Sequence, residues 1–87
     1  MEPNEKTLLA VLVDKRKKIA PTVQHILTDW GCWIKTRLGI HDGTLDDCSN
    51  VGLIILELVG EKEKHKELSR KLCLLDGVRT ELVHLTL

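Results

Sequence analysis

Two groups of residues in this 87-residue chain have types and spacing suited to chemistry. The first is His41 and Cys48, with Asp42, Asp46 and Asp47 between them. Imidazole, thiolate and carboxylate together make up the donor set of a divalent transition-metal site. The spacing matches neither a closed zinc motif nor an EF-hand loop. A metal on His41 and Cys48 would therefore take its remaining ligands across a subunit interface. The plainer alternative is a polar loop with an incidental cysteine. The second group is Lys15-Arg16-Lys17-Lys18, four cations at the start of a helical pattern, with Lys35 and Arg37 further along. Helix amides and basic side chains at such a place suit a phosphate or carboxylate effector. No glycine-rich phosphate loop accompanies them, and a solvated turn neutralised by the acidic 42–47 segment is the plainer reading.

Catalysis finds little support. His25, His65 and His84 fall on three separate predicted elements, a scatter expected of surface or interface histidines. Cys32 and Cys73 read as small core residues. No nucleophile, base and orienting acid stand at a recognisable spacing, and there is no tyrosine. The expectation is a protein that is not an enzyme.

The elements that must position these groups follow from periodicity. Thr7–Val13 is a short run, apolar on both alternating faces, and reads as a strand. Ile19, Ala20, Val23, Ile26, Leu27 and Trp30 share one helical face, with Gly31 as the left-handed stop. Pro21 predicts either a helix starting near Ala20 or a loose, kinked first turn over Lys15–Lys18. Cys32–Ile40 alternates, placing Cys32, Ile34, Thr36, Leu38 and Ile40 on a buried face and Trp33, Lys35, Arg37 and Gly39 on a basic one. A basic strand face with one aromatic is a poor match for RNA-binding sheets, which stack bases on central-strand aromatics. It reads instead as a subunit contact with a charged rim. A polar connection over 41–50 leads to a strand at Val51–Val59. A helix at 61–75 carries Leu68, Leu72 and Leu75 on one side and stops at Asp76-Gly77, and a strand at Val78–Leu85 ends the pattern.

The order β-α-β-β-α-β predicts an α+β, ferredoxin-like fold: a four-stranded antiparallel sheet with both helices on one face. First and third strands should be central, second and fourth at the edges. Only the central two are apolar on both sides, so one broad apolar sheet face is left over. A homo-oligomer, dimer or tetramer, assembled through that face is the expected remedy, since a chain this short is only modestly stable alone.

Composition sets outer bounds. Thirteen Lys and Arg balance thirteen Asp and Glu, which argues against a dedicated nucleic-acid binder or a polybasic membrane anchor. A hydrophobic content of 43% is enough for a core and excludes a disordered tail. With no Phe or Tyr, that core must be aliphatic. Length predicts a single domain spanning 1–87. The N-terminal residues lack a signal peptide's pattern, the apolar runs are too short to cross a bilayer, and three cysteines make no even disulfide set. These features predict a cytoplasmic protein with reduced thiols and no membrane contact.

The stretch Val23-Gln-His-Ile-Leu-Thr-Asp-Trp-Gly-Cys-Trp-Ile-Lys-Thr-Arg-Leu-Gly-Ile-His41 resembles the iron-only hydrogenase system regulators. Gly52-Leu-Ile-Ile-Leu-Glu-Leu58 and Leu75-Asp-Gly-Val78 fit the same family. That resemblance implies a small ferredoxin-like domain similar to ACT domains and to the C-terminal sensing domain of nickel-responsive repressors. Such relatives assemble through their sheets and bind small effectors or metal at subunit interfaces. Nickel-responsive repressors carry an N-terminal ribbon-helix-helix segment for DNA. Here only a few residues precede the first strand, so direct DNA binding is not expected. Of the repressors' metal ligands this chain matches at most His41 and Cys48. The glycine that admits an amino acid after the first strand of ACT domains has no counterpart in Asp14-Lys15-Arg16. The resulting expectation is a non-catalytic regulatory or sensing module, oligomeric through its sheet, with a small-molecule effector. The alternative is a metal-binding module using the 41–48 loop.

Overall fold

The computed structural model describes residues 4–14, 16–41 and 51–87, with residues 16, 17 and 41 described by their backbone. Strand β1 (Glu5–Val13) leads to helix α1 (Arg16–Asp29), a 3₁₀ turn (Gly31–Trp33), strands β2 (Ile34–His41) and β3 (Gly52–Leu58), helix α2 (Lys62–Cys73) and strand β4 (Val78–Thr86). All strand pairings are antiparallel, in the order β2-β3-β1-β4. The predicted ferredoxin-like α+β architecture is present, with the first and third strands central.

Register decides what each side of the sheet meets. Leu9 of β1 stands opposite Leu56 of β3 and Leu82 of β4, and Val11 opposite Ile54 and Thr80. Because side chains alternate, this row faces the helices. Leu9, Val11, Val13, Leu56, Leu58 and Val78 form the core with Val23, Ile26 and Leu27 of α1 and Leu68 and Leu72 of α2. Spacings of three, four and one between these helical residues place them on one stripe of each helix. Helix α2 also has Glu63 in its first turn and Arg70 and Lys71 in its last, the charge order that the helix dipole favours.

The structure corrects several expectations. Helix α1 is regular from Arg16 and passes through Pro21, rather than starting near Ala20. The bond given up is the one from position 21 to the carbonyl of residue 17, in the second turn of the helix. Gly31 is not a left-handed helix stop: among the described residues the positive-φ glycines are Gly60 and Gly77, and Gly31 opens the 3₁₀ turn. Cys32 and Cys73 are exposed free thiols rather than core residues. Cys73 directly follows the buried Leu72, so the helical repeat turns it to solvent, and Cys32 falls in the 3₁₀ turn instead of a strand.

The largest correction concerns β2. A register shift between Ile34 and Thr36 marks a β-bulge there. A bulge inserts one extra residue and so reverses which face the following side chains occupy. Ile34, opposite Leu58, packs on the core; after the bulge it is Arg37, opposite Leu56, that shares the helix side. Leu38 and Ile40, opposite Ile55 and Leu53, lie on the other side and are 53% and 45% exposed. Trp33, Lys35 and Arg37 therefore do not share one face, and Leu38 and Ile40 are not in the core.

Gly77 closes the turn from α2 into β4 at a φ of 79°, and its carbonyl accepts the Asp14 amide at 2.7 Å. A Cβ added there would lie 3.3 Å from the Asp14 carbonyl oxygen, in a backbone region that costs L-residues roughly 1–2 kcal/mol. Gly31 has neither constraint: nothing lies within 4 Å of its added Cβ. Gly77→Ala is expected to lower unfolding free energy by about 1–2 kcal/mol, whereas Gly31→Ala leaves it unchanged or raises it by up to about 1 kcal/mol. Urea unfolding of the two variants beside the parent checks this.

Candidate functional site

Three rows of residues meet where β1 ends and α1 begins. Val13 pairs with Gly52, and Gly52 pairs with His41. The end of β1, the start of α1 and the end of β2 thus gather at one end of the sheet, as the topology predicts. Arg16 and Lys17 open α1 and Lys18 is exposed in its first turn, while Lys15 lies outside the described residues. No acidic residue sits in that first turn, so these cations oppose the helix dipole.

Lys35 and Arg37 do not join that cluster. Lys35 Nζ lies 4.0 Å from Glu57 Oε2, which also takes Lys6 Nζ at 3.2 Å. Glu57 stands opposite Leu8 and Thr36, on the side away from the helices. Arg37 lies on the helix side, where its Nη2 donates to Oε1 of Gln24 on α1. Gln24 is six residues, about 9 Å of helix rise, beyond Lys18. Of the basic residues expected at one effector site, Lys18 thus stands in the first turn of α1, Arg37 in the seam between α1 and β2, and Lys35 on the opposite face.

Within that seam lies a cleft of about 230 Å³. Ala20, Val23 and Gln24 line it from α1, Gly39 from β2, and Gly52 and Ile54 from β3. It exists because two glycines stand where neighbouring rows carry side chains: a Cβ built on Gly39 meets nothing within 4 Å. Gly39 was legible as a signal in the sequence, since a glycine inside a strand weakens it and often marks close approach by a ligand or another backbone. The alternating pattern of β2 hid it by placing Gly39 on a solvated basic face.

Of the predicted metal ligands, His41 ends β2 with only its backbone described, and Cys48, with Asp42, Asp46 and Asp47, lies outside the described residues. No cluster of three or more metal-binding side chains occurs among the described residues. The three other histidines separate sharply. His25 is exposed on α1 beside Asp29, its Nε2 3.6 Å from Oδ2. His84 Nδ1 hydrogen-bonds with Thr7 Oγ1 at 2.9 Å, and its Nε2 lies 3.6 Å from Glu5 Oε1.

His65, expected at the surface, is buried on α2 at 4% exposure, three residues before Leu68 on the same stripe. Its Nε2 lies 2.8 Å from the Val59 carbonyl oxygen. A carbonyl can only accept, so Nε2 carries the hydrogen and Nδ1 is left as an acceptor, buried and with no partner among the described residues. The bond ties the first turns of α2 to the chain leaving β3. Periodicity would have found it, had a polar type at a core position been admitted.

No protein-family model matches this chain. No curated protein matches it either. Among solved structures, the uncharacterized protein TM1266 from Thermotoga maritima is similar over 94% of this chain and 99% of that one, with a TM-score of 0.78 and 26% sequence identity. The two chains share a fold. No helix among the described residues is long and apolar enough to cross a membrane.

The two histidine environments predict opposite responses. His65→Ala leaves the Val59 carbonyl unpaired and opens a cavity, and is expected to cost about 2–4 kcal/mol. His25→Ala removes an exposed pair and is expected to change stability by less than about 0.5 kcal/mol. Chemical denaturation monitored by circular dichroism distinguishes the two.

Proposed function

We propose that this protein is a non-catalytic regulatory or sensing module that assembles as a homo-oligomer through the open face of its sheet. The observation that carries this reading is the composition of that face. Leu8, Ala10 and Leu12 of β1 alternate with the core row and point away from the helices, beside Leu53 and Ile55 of β3. Leu38 and Ile40 extend the same surface across β2, and Val83 and Leu85 across β4. Leu12, Leu38, Ile40, Val83 and Leu85 are each more than a third exposed. A contiguous apolar surface spanning four strands is a typical association surface.

Its rim suits a second copy of itself. Lys6 and Lys35 flank Glu57 towards one end, and Arg79 and Glu81 lie along the β4 side. Both signs on one surface allow a two-fold contact in which each charge meets its opposite. The resemblance of residues 23–41 to the iron-only hydrogenase system regulators supports a regulatory role, and a small effector along the α1–β2 seam would supply the sensed signal. A ligand that binds one assembly state better shifts the equilibrium by its differential affinity, which is all that sensing requires.

Sedimentation velocity at about 10 µM is expected to show a dimer or tetramer. The double variant Leu38→Lys, Val83→Lys places two charges on the apolar surface without touching the core, and is expected to sediment as a folded monomer. A parent protein that is monomeric and stably folded at 100 µM would contradict the proposal.

A further inference from the structure

We infer that the cleft between α1 and the β2–β3 ladder is a binding site for a small aliphatic carboxylate, the effector of the module proposed above. This inference rests on that reading for its biological role, but on separate observations for its chemistry. The cleft walls, Ala20, Val23 and Ile54, are aliphatic, and Gly39 and Gly52 leave the floor without side chains. The space above Gly39 is empty on the side of the sheet where the next strand carries Ile54 and the one beyond carries the buried Val11.

The polar side chain in the cleft lining is that of Gln24, and Arg37, outside the lining itself, stands beside it. Arg37 lies two residues before Gly39 on the same side of β2. Its single described partner is the neutral Oε1 of Gln24, and no carboxylate pairs with it among the described residues. A guanidinium has five N–H donors, so beyond the bond to Gln24 it has donors unused among the described residues that a bidentate carboxylate can take. With Oε1 occupied by Arg37, the amide nitrogen of Gln24, itself a lining residue, offers a further donor. Cation and amide beside an aliphatic slot select an anion with an apolar tail.

Volume sets the length. The cleft measures about 230 Å³ and is open to solvent on one side, so it suits a short-chain acid, with roughly five or six carbons as the expected optimum. That volume falls below the volume of drug-sized pockets, and the expected dissociation constant is on the order of 0.1–1 mM.

The test is a titration of the full chain with straight and branched carboxylates of two to eight carbons, followed by amide and methyl NMR. Saturable shifts are expected at the Gly39 and Gly52 amides and the Val23 and Ile54 methyls, with affinity rising to five or six carbons and falling beyond. The neutral amide of the best acid is expected to bind at least tenfold more weakly, and Arg37→Gln to weaken the acid by a similar factor. Gly39→Val fills the slot and is expected to abolish binding while the far-ultraviolet spectrum and unfolding curve stay native. Absence of saturable shifts at every chain length, equal binding of acid and amide, or shifts confined to Leu12 and Leu38 on the open face would each overturn the assignment. Failure here with the oligomer intact leaves the assembly reading standing, whereas a monomer that still binds the acid overturns assembly and leaves this site.

Discussion

Antiparallel pairing of Glu5–Val13 with a neighbour on each side is the constraint on which the rest of the molecule depends. Once Leu9 is fixed between Leu56 and Leu82, alternation assigns every residue of three strands to the helix side or the open side. The helices then have one surface to cover, and Val23, Leu27, Leu68 and Leu72 bury themselves on it completely. Nothing among the described residues covers the opposite row. Leu8, Leu12, Leu53 and Ile55 cannot be turned inward without turning Leu9, Val11 and Leu56 outward, so an apolar outer face follows directly from an apolar inner one.

The bulge at Ile34–Thr36 modifies that constraint at one edge, and its consequences run in two directions. It keeps Ile34 against the core where β2 begins, then sends Leu38 and Ile40 to the open face, widening the apolar surface. In the same stroke it brings Arg37 and Gly39 beneath α1. Without the extra residue, Leu38 and Ile40 would fill the space above β3, and no cleft would form beside Gln24. The seam and the outer face are thus products of one local irregularity.

The sequence made the architecture legible because its elements differ in period: doubly apolar runs for the central strands, and spacings of three and four for the helices. It was less informative where a single residue changes phase. The alternation of Cys32–Ile40 looks regular, and the bulge that breaks it leaves no compositional mark, so the two faces of β2 were assigned in reverse. Cys32 and Cys73 belong to a residue type that favours burial, whereas their positions expose them. His65 belongs to a type that favours the surface, although its spacing to Leu68 and Leu72 places it in the core. Of the basic residues singled out, Arg37 lines the seam with α1 and Lys35 joins Glu57 on the other face, a separation visible only once the bulge is known. The 42–50 connection, with Cys48, lies outside the described residues.

The central claim is that the face bearing Leu12, Leu38 and Ile40 is covered by a second copy of the chain. Methyl NMR with a soluble paramagnetic agent measures this most directly, at protein concentrations from about 10 µM to 1 mM. If the claim holds, the methyls of Leu8, Leu12, Leu38, Ile40, Leu53 and Ile55 are shielded from paramagnetic broadening across that range, as Leu56 in the core is, and those that remain in the Leu38→Lys, Val83→Lys variant broaden strongly. Broadening of those open-face methyls that is strong and constant across the whole range would contradict it.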